Sequence, residues 1–147
     1  MRKFEITTKY KNSGIEIPKR ATKSSAGYDL ASAEDIVIKP KEIVLIPTGL
    51  KVKFPSGEVM LVFPRSSLAI KKGLMMSNGV GVVDSDYYGN EDNEGHLMVP
   101  IINFTDSDVK VEKGERIAQG IFVKYHTVTN DITIGDTRDG GFGSSGQ

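Results

Sequence analysis

The sequence predicts an all-β domain, a sandwich or a barrel, and three observations lead there. Short apolar stretches of alternating character recur along the chain, such as Leu50, Val52 and Phe54 between lysines and then Val59, Leu61 and Phe63. Prolines and glycines break the chain between them, at Pro40, Pro47, Pro55-Ser56-Gly57 and Pro64. Only one segment, Arg65 to Gly73, carries helix signals at both ends. Period-two alternation suits strands with one buried face, and regularly spaced short strands with turn residues between them suit a two-layer or closed sheet.

In chain order, Phe4 and Ile6, then Ile15 and Ile17, alternate modestly up to Pro18. A small polar loop, Thr22 to Gly27, leads into an apolar stretch from Tyr28 to Ala33. Ile36-Val37-Ile38 and Ile43-Val44-Leu45-Ile46 read as strands between prolines. Arg65 to Gly73 reads as a helix of two turns, with a serine available to cap its start, Lys71 and Lys72 suited to its last turn, and Gly73 to end it. Ser77 to Asn90 reads as a strand, a tight turn and the start of a returning strand, with Gly79 and Gly81 inside the apolar run. Glycine there marks a bulge or the close approach of a ligand, although Asp, Ser and Gly also make ordinary hairpin turns. Glu91 to Gly95 forms an acidic loop, after which strands resume at Leu97–Val99, Ile101-Ile102, Val109–Val111 and Ile117–Val123. Val128, Ile132 and Ile134 continue the alternation weakly. Thr137 to Gln147 is rich in glycine with almost nothing to bury, and is expected to be disordered when alone. It nevertheless carries an arginine, an aromatic ring and hydroxyls, a set suited to phosphate and base.

At 147 residues the chain fits one domain with a real core. Nineteen basic and nineteen acidic residues cancel, so no global field draws it to nucleic acid or anionic lipid. The absence of cysteine excludes disulfides, thiolate metal sites and thiol nucleophiles together. Met1-Arg2-Lys3-Phe4-Glu5 lacks the apolar core of a signal peptide, and no run approaches the ~20 apolar residues of a membrane span. A cytoplasmic location is the expectation, with neither nucleic acid nor membrane as partner.

The available chemistry points to phosphate and a hard metal. Neither a P-loop nor a dinucleotide fingerprint is present, and His96 and His126 lack partners at zinc-ligand spacing; both are expected as solvated residues. Arg65-Ser66-Ser67 stands at the helix start, where amides and dipole favour an anion and arginine adds a forked, permanent charge. Asp29 and Asp84 are oxygen groups suited to magnesium or its waters. Aspartate is ionised at neutral pH, so Asp84 can also take a proton from water. Each feature alone has a plain reading, as a cap or as a turn residue.

Five segments occur in a telling order: Ala26-Gly27-Tyr28-Asp29-Leu30, Pro64-Arg65-Ser66-Ser67-Leu68-Ala69, Gly81-Val82-Val83-Asp84-Ser85-Asp86-Tyr87, Gly114-Glu115-Arg116-Ile117-Ala118-Gln119, and Gly140-Gly141-Phe142-Gly143-Ser144-Ser145-Gly146. Together they resemble the five signature motifs of the homotrimeric dUTPases, from about Ala21 to the last residue. The resemblance implies a distorted jelly-roll barrel with one short helix, one domain over residues 1–147 whose last residues, from about 136, form a flexible arm. It implies a homotrimer with sites at subunit interfaces, and magnesium-dependent cleavage of dUTP to dUMP and pyrophosphate. That reaction limits uracil in DNA and supplies dUMP for thymidylate. Matched residue by residue, Asp84 orients and deprotonates the water that attacks the α-phosphorus. Asn78 bonds uracil, Tyr87 packs on deoxyribose and excludes a 2′-hydroxyl, and Arg65, Ser66, Ser67 and Gln119 hold phosphates, with Ser66 at the leaving oxygen. Asp29 stands near the waters of the metal, while Arg138, Phe142, Ser144 and Ser145 belong to the arm that closes over the nucleotide. An asparagine amide can turn to suit uracil or cytosine, so the fixed backbone around Gly79 and Gly81 is expected to decide the base.

Departures from the motif pattern stand beside it. Tyr88 occupies a position commonly held by arginine, the loop Glu91–Gly95 is longer than in the shortest members, and Arg138 is one residue closer to the Gly-Gly-Phe than in many. Arg116 is expected to make a structural ion pair. Two other readings remain: a dCTP deaminase-like enzyme, disfavoured by the intact Asp84 and Tyr87, and a nucleotide-gated regulatory protein using the Glu91–Gly95 loop as contact surface, for which an ordinary longer turn is the plainer account.

Overall fold

The computed structural model describes residues 1–135. Eleven strands and one α-helix make up the regular structure of that part. The strands are β1 (Lys3–Ile6), β2 (Tyr28–Ala31), β3 (Ile36–Ile38), β4 (Ile43–Pro47), β5 (Leu50–Lys53), β6 (Glu58–Pro64), β7 (Leu74–Met76), β8 (Gly81–Asp84), β9 (Met98–Asn103), β10 (Val109–Val111) and β11 (Arg116–Lys124). They pair antiparallel throughout, in a four-stranded sheet β2-β11-β6-β8, a three-stranded sheet β4-β9-β7, and the pairs β1-β5 and β10-β3. The all-β expectation holds.

Between the sheets lies one apolar core that includes Leu30, Ile38, Ile46, Met60, Leu74, Ile101 and Ile117, each fully withdrawn from water. Burying an aliphatic side chain of this size is worth about 1.5–3 kcal/mol. In β6 the innermost residues are Met60 and Val62, whereas Val59, Leu61 and Phe63, the alternating set most visible in the sequence, are only half-buried on the other face. β6 pairs laterally with both β11 and β8 and carries apolar residues on both faces, so alternation alone does not say which face is the inner one.

The helix α1 (Ser66–Lys72) ends as expected, with Gly73 in the left-handed region at φ +66° and its N–H donating to Ala69 O. Its start differs: Arg65 is the N-cap, in extended conformation, and no serine side chain caps it. Ile15 and Ile17 form no strand. Ile15 instead lies over Gly49, where a β-carbon would come within 2.3 Å of its Cδ1. Residues 125–135 form no strand either; Val128, Ile132 and Ile134 stand in solvent, the last two 86% and 89% exposed, with no sheet of this chain beside them. No described helix is long and apolar enough to cross a membrane.

Candidate active site

The sheet order β2-β11-β6 gathers one group of the expected residues. Register places Asp29 opposite Gln119, and Gln119 opposite Phe63. Paired residues share a face, and Arg65 follows directly from the end of β6. Asp29 therefore meets two guanidinium groups, Arg65 Nε at 3.7 Å and Arg116 Nη1 at 3.4 Å. The second contact is the ion pair expected of Arg116. Gln119 leans over Gly27, where a β-carbon would stand 2.5 Å from its Oε1; the glycine of the first motif makes room for the glutamine of the fourth.

Helix geometry leaves the first amides of α1, at Ser66 and Ser67, without intrahelical acceptors. Leu68 N–H closes the first turn, onto Arg65 O at 3.1 Å. A cleft of about 340 Å³ opens here, lined by Arg65, Ser67, Lys71, Lys72 and Arg116 with Glu115. Lys72 is held by Glu115 at 2.6 Å, while Arg65 and Arg116 share the single carboxylate of Asp29, so with Lys71 the cleft carries a surplus of positive charge to face an anion. The sequence showed Lys71 and Lys72 only as helix-end residues. That Arg116 shares their cleft follows from the β11 register and has no local signal.

A second group lies elsewhere. β8 runs antiparallel to β6 with Gly81 opposite Val62 and Asp84 opposite Val59. Arg65 is six residues beyond Val59. At about 3.3 Å per residue that is roughly 20 Å. Asp84 and Arg65 of one chain are thus too far apart to reach the same small group. Ser77–Asn90 holds one strand, β8, and no returning strand, so it is not the hairpin that the sequence suggested. Leu74–Met76 pairs with β9, the chain turns at Ser77–Val80, and β8 joins β6 before a short 3-10 turn, Ser85–Tyr87. Asn78 and Gly79 are exposed in that turn, with Gly79 at φ +74° and the Val80 amide bonded to Asn78 O at 2.9 Å. Gly81 has a packing cause: a β-carbon would sit 3.1 Å from Val62 Cβ on the neighbouring strand.

Tyr87 is buried, and its hydroxyl donates to His96 O at 2.9 Å while Asn93 Nδ2 donates to it at 2.9 Å. Tyr88 turns the opposite way, donating to the Glu5 carboxylate, with Lys51 and Lys53 Nζ 5.5 and 5.7 Å from its ring centre. That hydrogen bond holds Glu5 below its usual carboxylate range and lifts the Tyr88 phenol. Where an arginine commonly stands, this chain has an aromatic ring tied to β1 and β5. The loop beyond is closed rather than projecting: Glu94 bonds Lys51 at 3.0 Å and the backbone N–H and hydroxyl of Thr8. Glu91 and Asp92 of the same loop stay exposed.

His96 corrects an expectation. It is not solvated but half-buried, with Nε2 accepting Gly49 N–H at 2.9 Å and its ring 5.5 Å from that of Tyr10. Burial, and then the charge of Lys9, push its pKa below the usual value. Among the described residues no three His, Asp or Glu side chains converge on a possible metal position. Two carboxylates stand at the cationic cleft, Glu115 held by Lys72 and Asp29 between Arg65 and Arg116, a donor set that suits magnesium only when the ion arrives with phosphate oxygens. Arg138, Phe142, Ser144 and Ser145 lie outside the described residues.

Comparison with known proteins identifies the family. The dUTPase family profile matches residues 13–146. The chain is 52% identical over 147 residues to the deoxyuridine 5′-triphosphate nucleotidohydrolase of Lactococcus lactis subsp. lactis, covering 99% of this chain and 98% of that one. It is 42% identical over 133 residues to the enzyme of the same name from Avian adenovirus 8, covering 88% and 77%. Its fold superimposes on the crystal structure of dUTPase from Streptococcus mutans with a TM-score of 0.82 at 46% identity, over 86% of this chain and 98% of that one. A profile spanning nearly the whole chain, with relatives of this identity and length, establishes that the chain belongs to the dUTPase family.

Proposed function

We propose that the protein hydrolyses dUTP to dUMP and pyrophosphate at sites completed between copies of the chain in a homotrimer. The activity is carried by full-length identity to a deoxyuridine 5′-triphosphate nucleotidohydrolase. The division of the site between copies is carried by the separation of roughly 20 Å between Asp84 and Arg65 along β6. Asp84 of one copy takes a proton from water; the water oxygen bonds to the α-phosphorus, and the bond from that phosphorus to the bridging oxygen breaks. Arg65, Ser66, Ser67 and Gln119 of a second copy hold the phosphates, and Ser66 supports the departing oxygen. Such chemistry needs positioning and charge stabilisation more than covalent help. Magnesium bound to the phosphates would neutralise their charge, and Asp29 is the residue that would hold its waters. Asn78 and the backbone at Gly79 and Gly81 take uracil, Tyr87 takes the deoxyribose, and Arg138, Phe142, Ser144 and Ser145 close over the nucleotide from the C-terminal arm of a neighbouring copy.

The outer face of β4-β9-β7 supports the trimer. Ile43 and Met75 flank Ile102 in register, and Leu45 stands opposite Pro100, so a row of apolar side chains faces solvent in the single chain. A second copy, or the apolar residues of 125–135, would cover it. A cytoplasmic location suits a nucleotide substrate of this kind. The test is pyrophosphate release from dUTP compared with dTTP, dCTP and UTP, with magnesium and with chelator. Release from dUTP alone, lost on chelation, is expected; none from dUTP would overturn the reading.

A further inference from the structure

The loop Gly89–Gly95 touches the candidate site through one side chain, and the chemistry of that contact is fully determined. Asn93 Oδ1 lies 3.0 Å from the Gly95 amide and 3.0 Å from Asn90 Nδ2. A backbone N–H only donates, so the atom facing it is the amide oxygen and the other end of the Asn93 amide, Nδ2, is the one facing Tyr87 Oη at 2.9 Å. The Tyr87 hydroxyl also faces His96 O at 2.9 Å, and a carbonyl only accepts. The phenolic proton is thereby committed to His96, which leaves Oη needing a donor, and Asn93 supplies it. Two backbone groups at the ends of the chain of bonds fix the sense of every bond between them.

The support behind Asn93 is rigid. Glu94 N–H donates to Asn90 O at 2.8 Å, His96 N–H to Asn93 O at 3.0 Å, and Gly89 N–H to Glu94 O at 2.9 Å. Glu94 is bonded to Lys51 and Thr8, the His96 ring receives Gly49 N–H, and Leu97 N–H donates to Leu50 O at 2.8 Å. Asn90 is buried with its Oδ1 unpartnered among the described residues, so its amide is placed by donation to Asn93 at the cost of an unsatisfied oxygen. Gly95 packs against Tyr87 O, where a β-carbon would be 2.4 Å away.

We infer that Asn93 is a positioning residue for Tyr87: it clamps the phenol from the loop side and thereby sets how closely the ring can approach the 2′ position of a bound sugar. This rests on the reading that Tyr87 faces the deoxyribose. Aspartate at 93 would keep the acceptor that Gly95 and Asn90 need but could not donate, and would turn a negative oxygen on the lone pair of the phenol.

The experiment measures kcat and KM for dUTP and for UTP in the wild type, Asn93→Asp, Tyr87→Phe and the double variant. Asn93→Asp is expected to lower the dUTP-to-UTP ratio of kcat/KM by about tenfold, mainly through a higher KM for dUTP. In the Tyr87→Phe background, where no hydroxyl remains, the same change should leave the ratio unaltered. An unchanged ratio in Asn93→Asp, or an equal loss in both backgrounds, overturns the clamp. Should Asn93→Asp fail to fold, Tyr87→Phe decides alone, since removing the hydroxyl must lower the ratio and an unaltered one is again fatal. A wild type inert toward dUTP is a different outcome, which sinks the functional reading and the sugar role with it.

Discussion

Asp84 stands exposed at the end of β8, in extended conformation at the entry to a short 3-10 turn. A carboxylate at this solvent-facing strand end can meet water, as a general base for hydrolysis must. Asp84→Asn keeps the shape and removes the base, so dUTP affinity by calorimetry should stay within a few-fold while pyrophosphate release falls about 10²- to 10⁴-fold. Normal turnover in that variant would remove Asp84 from the mechanism. His96 bears on stability. Burial and Lys9 lower its pKa, opposed by Glu94 and Glu34, and its neutral Nε2 is the acceptor for Gly49 N–H. The unfolded chain takes a proton near 6.5, the folded one only at lower pH. Stability from this group is therefore complete above 6.5 and is lost as pH falls through the depressed value. Glu94 and Glu58, held low by Lys51 and Arg2, add their loss only below the ordinary carboxylate range. Melting temperatures between pH 8 and 5 should drop for the wild type and stay flatter for His96→Gln.

At the scale of elements, the loop between the 3-10 turn and β9 packs its last residue, Gly95, directly against backbone. Gly95 has φ +86°, and a β-carbon would stand 2.4 Å from Tyr87 O and 3.0 Å from Tyr88 Cα. Neither atom can swing aside as the tip of a long side chain would. Gly95→Ala is therefore expected to cost about 2 kcal/mol or more and to lower the melting temperature by several degrees, with Tyr87 displaced. A melting point equal to that of the wild type would show that the loop can relax without it. The neighbouring helix poses the opposite case: α1 is only seven residues long and lacks a side-chain cap, so its position depends on Leu68 in the core and on Arg65 at Asp29.

For the whole molecule, the separation of Asp84 from Arg65 becomes a test of assembly. If a site takes its acid from one copy and its arginine from another, Asp84→Asn and Arg65→Ala chains are each inactive alone but complement one another when unfolded together and reassembled. Random trimers from an equal mixture would restore about a quarter of wild-type pyrophosphate release, since three-quarters of them are mixed and each mixed trimer rebuilds one intact site in three. No recovery would place both residues in one chain's site, contrary to the β6 register.

Much of this was local and therefore legible. The alternation in β5, the left-handed glycine ending α1 and the five motif segments are each visible within a few neighbouring residues, because strand period, helix termination and motif chemistry depend on short-range geometry. Pairing is not local. Nothing within Ser77–Asn90 says that it holds a single strand in a sheet other than that of β7 just before it, and only β6 and β9, arriving from elsewhere in the chain, decide it. The same holds for Gly81, small because of Val62; for Ile15, which covers Gly49 rather than joining a sheet; and for His96, buried by the approach of Gly49 and Tyr10. Residue type and spacing thus named the candidate groups for the chemistry. Which of them can meet within one chain was set by sheet register, because strand contacts form between segments that are distant in sequence.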